Sequence, residues 1–486
     1  MKQQHFFGLV LMIVVFWGCS GHNPTAETES PFEHHFHAQG AIDSLAQNRV
    51  SVVKKVITAG EEDVVELTPD SSQWKKELES FREAANFNSL PNKDKYSHCK
   101  LKMPVSGLVE HRYSANNRDE TVQEAVFLYR GNDLEEVRFI VRQDNPVYSF
   151  SRKLVYRPES GYRIDSELSI LNFVAQQFSV RAAFLSEPKA LTLQFDIGDE
   201  ILPVRTLWSD DRIEVVNGSD RTVLNPQKAD GRYKAVFPVF NSVLFINDLK
   251  NPKGFWRNYD RGADYEIVFD SEPRFINGTL SSKDFSGKYE TYFIHEGDST
   301  RAVGVLEQSG TRLFGTFMTK TGDYRHLEGI IEGDSFIVST FDGAFAYLFK
   351  GRFSGDEFEG EFYSGNHYRA KMYGYLNSDA DLADAEGLTH LNPGYSTLEF
   401  AFKNSAGKRV SLSDDRFQDK PVLITIMGTW CPNCKDESLF LKQLHEQYHD
   451  RGLEIVDWLL NEALILKMPK SWWTKRLQTL NCLMIF

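Results

Sequence analysis

Cysteine is scarce in this chain: Cys19, Cys99, Cys431, Cys434 and Cys482 are the only five in 486 residues, which excludes a disulfide framework as the source of its stability. Basic charge is also in deficit, with 55 Lys and Arg against 68 Asp and Glu for a net charge of −13. No basic cluster offsets that balance, so recognition of nucleic acid and adhesion to anionic lipid heads are both disfavoured. Long apolar runs are missing too. The stretch from Phe6 to Trp17 falls short of the ~20 residues with which a helix spans a bilayer. What is plentiful is core material, 41% hydrophobic and 13% aromatic residues over a length that implies several domains.

Two of the cysteines stand three positions apart in Trp430-Cys431-Pro432-Asn433-Cys434, where the apolar run Pro421 to Met427 gives way to a polar helix. A helix starting at Cys431 or Pro432 aims its unpaired N–H groups and positive dipole end at the first sulfur, which favours thiolate over thiol. Cys434, one turn further in, is expected to be less exposed and to attack a mixed disulfide formed at Cys431. Two other readings stand beside this one. Half a zinc site would need two more ligands, and His445 and His449 lie further along the helix, away from its N-terminus. A structural disulfide closing a rigid turn is the other.

The residues around the pair resemble the TlpA/ResA-like thiol-disulfide oxidoreductases, membrane-associated relatives of thioredoxin. The resemblance runs from the hairpin LEFAFKNSAGKRVSL (Leu398 to Leu412) through PVLITIM and GTWCPNCKDE to the helix SLFLKQLHEQYHDRGLEIV, about an eighth of the chain. It implies dithiol-disulfide exchange with Cys431 as the attacking and Cys434 as the resolving thiol, and with Trp430 and Pro432 shaping the site. Implied partners are protein disulfides or dithiols and a membrane electron donor. No cofactor and no metal is expected. More loosely, Leu191 to Tyr375, with LPVRTLW, GFWRNYDRGADYEIVF and GTFMTKTGDYRHLEG, resembles the β-rich region that precedes this domain in Bacteroidetes-type lipoproteins.

At the other end, Lys2 precedes the short apolar stretch, which finishes in Gly18-Cys19-Ser20. This is similar to a bacterial lipoprotein signal, in which residues 1–18 are removed and Cys19 is acylated, so that the mature chain is lipid-anchored on the periplasmic side of the cell envelope. A polar tether, residues 19–40, carries Glu33-His34-His35-Phe36-His37; a histidine-rich tract beside a flexible tether reads as solvated rather than metal-binding.

Residues 41–186 read as an α+β domain. Ser71 to Phe87 places Trp74, Leu78, Phe81 and Ala85 on one helical face, and alternating stretches follow. Residues 187–376 read as an all-β antiparallel, barrel-like region. Eight strand-like segments from GKYETYFI to YRAKMYGYL are spaced as a meander, with turn pairs at Ser309-Gly310, Gly333-Asp334, Asp342-Gly343 and Gly355-Asp356, and they suggest a closed or nearly closed barrel filled by its own side chains. Residues 377–393 form a linker. The fold class is therefore multidomain, ending in an incomplete thioredoxin-like α/β domain at 394–456.

The thirty residues 457–486 depart from the resemblance, which calls for a second helix and a strand whose cis-proline faces the dithiol. No strand pattern appears there, and three tryptophans do. A shifted frame of the back-translated tail reads LAFERSPDFEDAKKLVDKATTNFKLPYDF, similar to the family's continuation, so a frameshift is expected. Leu398 to Val456 alone is about sixty residues, a size at which one core rarely supplies more than ~3 to 5 kcal/mol, so truncation is expected to weaken the domain and to put the exchange activity itself in doubt. The competing reading is a non-enzymatic lipid-anchored binding or structural lipoprotein with a vestigial C-x-x-C.

Overall fold

The computed structural model describes residues 36–58, 60–170, 173–185, 188–209, 211–262, 264–274, 277–279, 283–382, 391, 393–404, 407–428, 430–460 and 483–484. The expected signal segment 1–18, Cys19, His34, His35, Cys482 and most of residues 461–486 lie outside these residues. Among the described residues no helix is long and apolar enough to cross a membrane.

Three nine-stranded antiparallel sheets are built in chain order, followed by a small α/β region. In the first, strands from Tyr96–Met103 to Phe173–Leu185 form a meander, and Ser51–Thr58 returns to pair with Phe173–Leu185. Helices α1 (Ala38–Gln47), α2 (Ser71–Glu77) and α3 (Glu79–Ala85) supply apolar cover to the sheet. Trp74, Leu78 and Phe81 are fully buried as their spacing predicts, and the Trp74 indole meets Phe184 edge-on. The single helix expected over Ser71 to Phe87 instead breaks at Leu78. That break turns Ala84 rather than Ala85 fully inward. Asp70 starts α2 with a capping box, accepting the Gln73 amide at 2.8 Å while Gln73 returns the bond to Asp70.

The antiparallel region expected over residues 187–376 is built from two sheets that share a core. Lys189–Asp196 through Glu266–Pro273 form the second sheet, and Gly287–His295 through Tyr368–Leu376 form the third. Eight strands of the third sheet close into a barrel, because Gly287–His295 pairs with both Asp298–Ser309 and Tyr368–Leu376. Its interior is filled with rings, among them Phe293, Phe317, Phe349 and Phe362. Gly333-Asp334 and Gly355-Asp356 form two-residue hairpin loops as expected, and at the third pair the loop is shifted by one to Gly310-Thr311, with Ser309 still paired to Arg312. The fourth pair does not form one. Residues 342–345 form a longer loop whose base plugs the second sheet, with Phe341 against Phe195, Phe237 and Trp256. Asn217 clamps that base, donating to the Phe341 carbonyl at 2.9 Å and accepting its amide at 3.0 Å. Gly343, with φ +93°, has no room for a Cβ, which would fall 2.2 Å from the Phe237 ring.

Charge, not only apolar packing, joins the three sheets. Glu328 of the barrel receives Arg205 of the second sheet at 3.3 Å, Arg274 at 3.2 Å and Arg312 at 3.3 Å. Arg138 of the first sheet bonds Glu110 at 3.0 Å and reaches the barrel's Ser309 at 2.9 Å. Burial works against the Glu328 anion, but Arg205, Arg312 and Arg274 outweigh it and hold its carboxyl well below the usual range. Such a network adds little over an apolar contact of the same shape, yet losing one member strands buried charge. It therefore specifies how the sheets meet.

The last region begins with an antiparallel pair, Ala401–Lys403 and Arg409–Ser411, within the expected hairpin. Strand Val422–Gly428 then lies parallel to Glu454–Leu460. Phe400, Phe402, Val410, Phe417 and Val456 form a small separate core. The expectation that strand pattern stops at Val456 is corrected here. Asp457 to Leu460 continue the parallel ladder opposite Thr425 to Gly428, and Leu483–Met484 pairs with Asp457 and Trp458.

Candidate redox site

Val422–Gly428 is rich in β-branched and aliphatic residues, ends at a glycine, and delivers the chain to the first cysteine. The Cys431 amide closes a turn onto the Gly428 carbonyl at 3.0 Å. Helix α4 (Pro432–Tyr448) follows, with Cys431 as its N-cap and Pro432 at its first position, where the missing N–H costs no hydrogen bond. Its free amides thus gather at the dithiol. The Cys434 N–H donates to Cys431 Sγ at 3.2 Å, so the first sulfur takes the place a capping oxygen would hold.

Cys431 and Cys434 are joined in a disulfide, with Cα atoms 5.3 Å apart. Both residues are half-buried, so the expected difference in exposure does not rank them. The capping bond does, because it favours negative charge on Cys431. Pro432 is buried, and the Trp430 ring lies so close over Gly428 that a Cβ there would be 2.8 Å from it. Ser438 Oγ donates to the Cys434 carbonyl at 2.9 Å and lies 3.4 Å from Met427 Sδ, tying the second turn of α4 to the strand beneath.

Two features were not read from the residues. Asn433, between the cysteines, and Asp436, on the next turn, both contact the barrel through Arg325, at 2.9 Å and 2.7 Å. Sequence separations of 108 and 111 residues hide that contact from any local pattern. Asp457, taken as part of an aberrant tail, is a fully buried carboxylate opposite Thr425 in the central strand pair. Burial first, and then the charge of Glu437 on α4, push its carboxyl above the usual range.

His445, His449 and Glu454 could hold a metal ion, since their ligand atoms lie within 4.8 Å of one another. They sit at the far end of α4 from the dithiol. Glu454 Oε1 is already paired with Lys420 Nζ at 2.8 Å, which answers its charge without a metal. Neither histidine approaches the C-x-x-C as a zinc ligand would. Of the other cysteines, Cys99 is half-buried on the strand Tyr96–Met103 of the first sheet.

Residues 393–484 match the Redoxin family model. The chain is 33% identical over 86 residues to thiol-disulfide oxidoreductase ResA of Bacillus thuringiensis subsp. konkukian, an alignment covering 15% of this chain and 48% of the relative. It is 30% identical over 92 residues to the Bacillus subtilis protein of the same name, covering 19% of this chain and 49% of that one. The chain thus spans about half the length of these curated relatives. Among solved structures, a transferrin binding protein B mutant from Haemophilus parasuis matches with 10% identity over 58% of this chain and 66% of that chain, at a TM-score of 0.15, which carries no argument. The C-terminal region is therefore thioredoxin-like, of the TlpA/ResA-like type.

Proposed function

We propose that this protein is a thiol-disulfide oxidoreductase of the cell envelope, anchored through Cys19 and exchanging the Cys431–Cys434 pair with protein disulfides. The observation that carries the chemistry is a C-x-x-C disulfide whose first sulfur caps the helix that follows the central strand. In the reducing direction, the Cys431 thiolate attacks one sulfur of a substrate disulfide, forming a mixed disulfide and releasing one substrate thiolate. The Cys434 thiolate then attacks Cys431 Sγ and releases the second, so that two electrons pass to the substrate and the bonded pair is restored. A membrane dithiol donor resets the pair, and the reverse direction uses the same two steps.

Insulin reduction by the full chain with dithiothreitol as donor tests the reaction. Turnover above the donor background, abolished in both Cys431→Ser and Cys434→Ser, is expected; wild-type turnover equal to either variant would leave a protein whose C-x-x-C is vestigial. Envelope fractionation of Cys19→Ser tests the location. Release of the variant from the membrane fraction, with acyl mass on the wild type alone, is expected, and firm membrane association of a wild type without acyl mass would rule the anchor out.

A further inference from the structure

We infer that the barrel is one wall of the redox site, with Arg325 the residue through which it positions and electrically balances the dithiol helix. The inference rests on the oxidoreductase reading. Its basis is the contact between the barrel turn at residues 322–325 and the first turn of α4. Arg325 Nη1 donates to Asn433 Oδ1 at 2.9 Å and to Asp436 Oδ2 at 2.7 Å, while Asn433 Nδ2 donates to the Asp323 carbonyl at 3.2 Å. A residue lying between the two cysteines is thereby bonded on both its amide atoms.

The turn is shaped for this approach. Gly322 sits at φ +137°, where residues with a Cβ are strained, and a Cβ there would lie 2.9 Å from Asn433 Nδ2, so a side chain would displace the Asn433 amide from the turn. Arg325 has φ +67°, a region that residues with a Cβ rarely occupy. Its backbone is held there by Asp323, whose Oδ1 accepts the Arg325 amide at 3.0 Å. An unusual conformation maintained by a neighbour at a contact with the dithiol turn is more than an incidental surface touch.

The charges at this joint are unbalanced without the arginine. Asp436 of α4, Asp342 of the barrel at 3.3 Å and Asp220 of the second sheet at 3.8 Å all face the one guanidinium. Asp436, on α4 itself, opposes the thiolate that the helix N-terminus favours, and Arg325 answers that charge; burial pushes the Asp342 carboxyl up, so Asp436 is the carboxylate through which the joint bears on the dithiol helix. Two substitutions that break the same contact should therefore act in opposite directions on the dithiol. Arg325→Ala leaves the Asp436 carboxylate uncompensated, disfavours the Cys431 thiolate and shifts the pair toward disulfide. Asp436→Asn removes one carboxylate, frees the arginine's charge and shifts the pair toward dithiol. A contact that only docks two bodies would move both variants the same way, or neither.

The test is the equilibrium of the full chain with glutathione, in which protein dithiol plus glutathione disulfide gives protein disulfide plus two glutathione thiols. The rate of Cys431 alkylation by iodoacetamide at pH 7 is the second reading. Arg325→Ala is expected to raise the equilibrium constant toward disulfide about three- to tenfold and to slow alkylation by a similar factor, with Asp436→Asn shifting both the other way and Arg325→Lys recovering part of the loss. Circular dichroism checks that each variant is folded. If Arg325→Ala fails to fold, Asp436→Asn and Arg325→Lys decide the matter by the sign of their shifts. Equal or same-direction shifts in the folded variants overturn the inference while leaving the oxidoreductase reading intact. A wild-type pair that does not equilibrate with glutathione would instead sink that reading itself.

Discussion

Arg325 Nε lies 3.3 Å from Asp342 Oδ2, both side chains buried, and this ion pair joins the loop that plugs the second sheet to the turn that touches the dithiol helix. Burial alone would lower the Arg325 guanidinium, but Asp342 and then Asp436 hold it above its ordinary value, so the cation is present at every working pH. The position of α4 thus depends on residues more than a hundred positions earlier in the chain.

That dependence begins at the junction of the three sheets. Glu328→Ala is expected to cost about 3–5 kcal/mol of unfolding free energy, because Arg205, Arg274 and Arg312 lose a shared buried partner. Urea unfolding followed by circular dichroism measures it, with the exposed Glu332→Gln as control. A loss no larger than the control's would mean that water already answers these charges.

The same junction sets the acid response. Burial opposes the Glu135 anion, yet Arg205, Arg312 and Arg130 bring its carboxyl down to about 2. A folded value below the unfolded one makes the contribution complete above the unfolded pKa and progressively lost as pH falls toward the folded value. Stability should therefore decline between about pH 4.5 and pH 2, and Glu135→Gln should flatten that decline. An unchanged slope in the variant would assign the acid sensitivity elsewhere.

Phe341 tests the plug itself. It is fully buried against Phe195, Phe237 and Trp256, so Phe341→Ala is expected to cost about 3–5 kcal/mol. Because the barrel and the second sheet share this core, both should melt in one transition in the wild type. Two separate transitions in the wild type would contradict the shared core.

Asp457 is expected to act in the opposite sense to Glu135. Its folded pKa is raised, so its stabilising share is complete below the unfolded value and is lost as pH rises through the folded one. Burial and Glu437 outweigh the side-chain contact with Thr425, the one interaction that favours its anion. Asp457→Asn should raise the melting temperature at pH 7 and give no gain at pH 3.5. A lower melting temperature at pH 7 would show that the carboxylate is answered by a partner.

Much of this architecture was legible where local rules suffice. The eight barrel strands followed from alternation and paired turn residues, and α4 followed from the change of pattern after Met427. The division of the middle region was not legible, because the strands on either side of residues 274–286 carry the same alternation whichever sheet they join. Alternation also misplaces Arg205, Arg312 and Glu328. Polar positions on an antiparallel sheet are ordinarily solvated, but here the outer face of one sheet is covered by the next. The dithiol was read from five residues, whereas the arginine that touches its helix comes from another fold unit.

In the proposed exchange Cys431 is the nucleophile and Cys434 the resolving thiol, and trapping tells the two apart. Reduced Cys434→Ser should be mixed with a disulfide-containing protein such as insulin at pH 7, quenched with acid and analysed by peptide mass. A stable mixed disulfide at Cys431 is expected, with no such adduct at Cys434 when reduced Cys431→Ser is treated identically. Adducts of equal yield on both variants, or on neither, would contradict it.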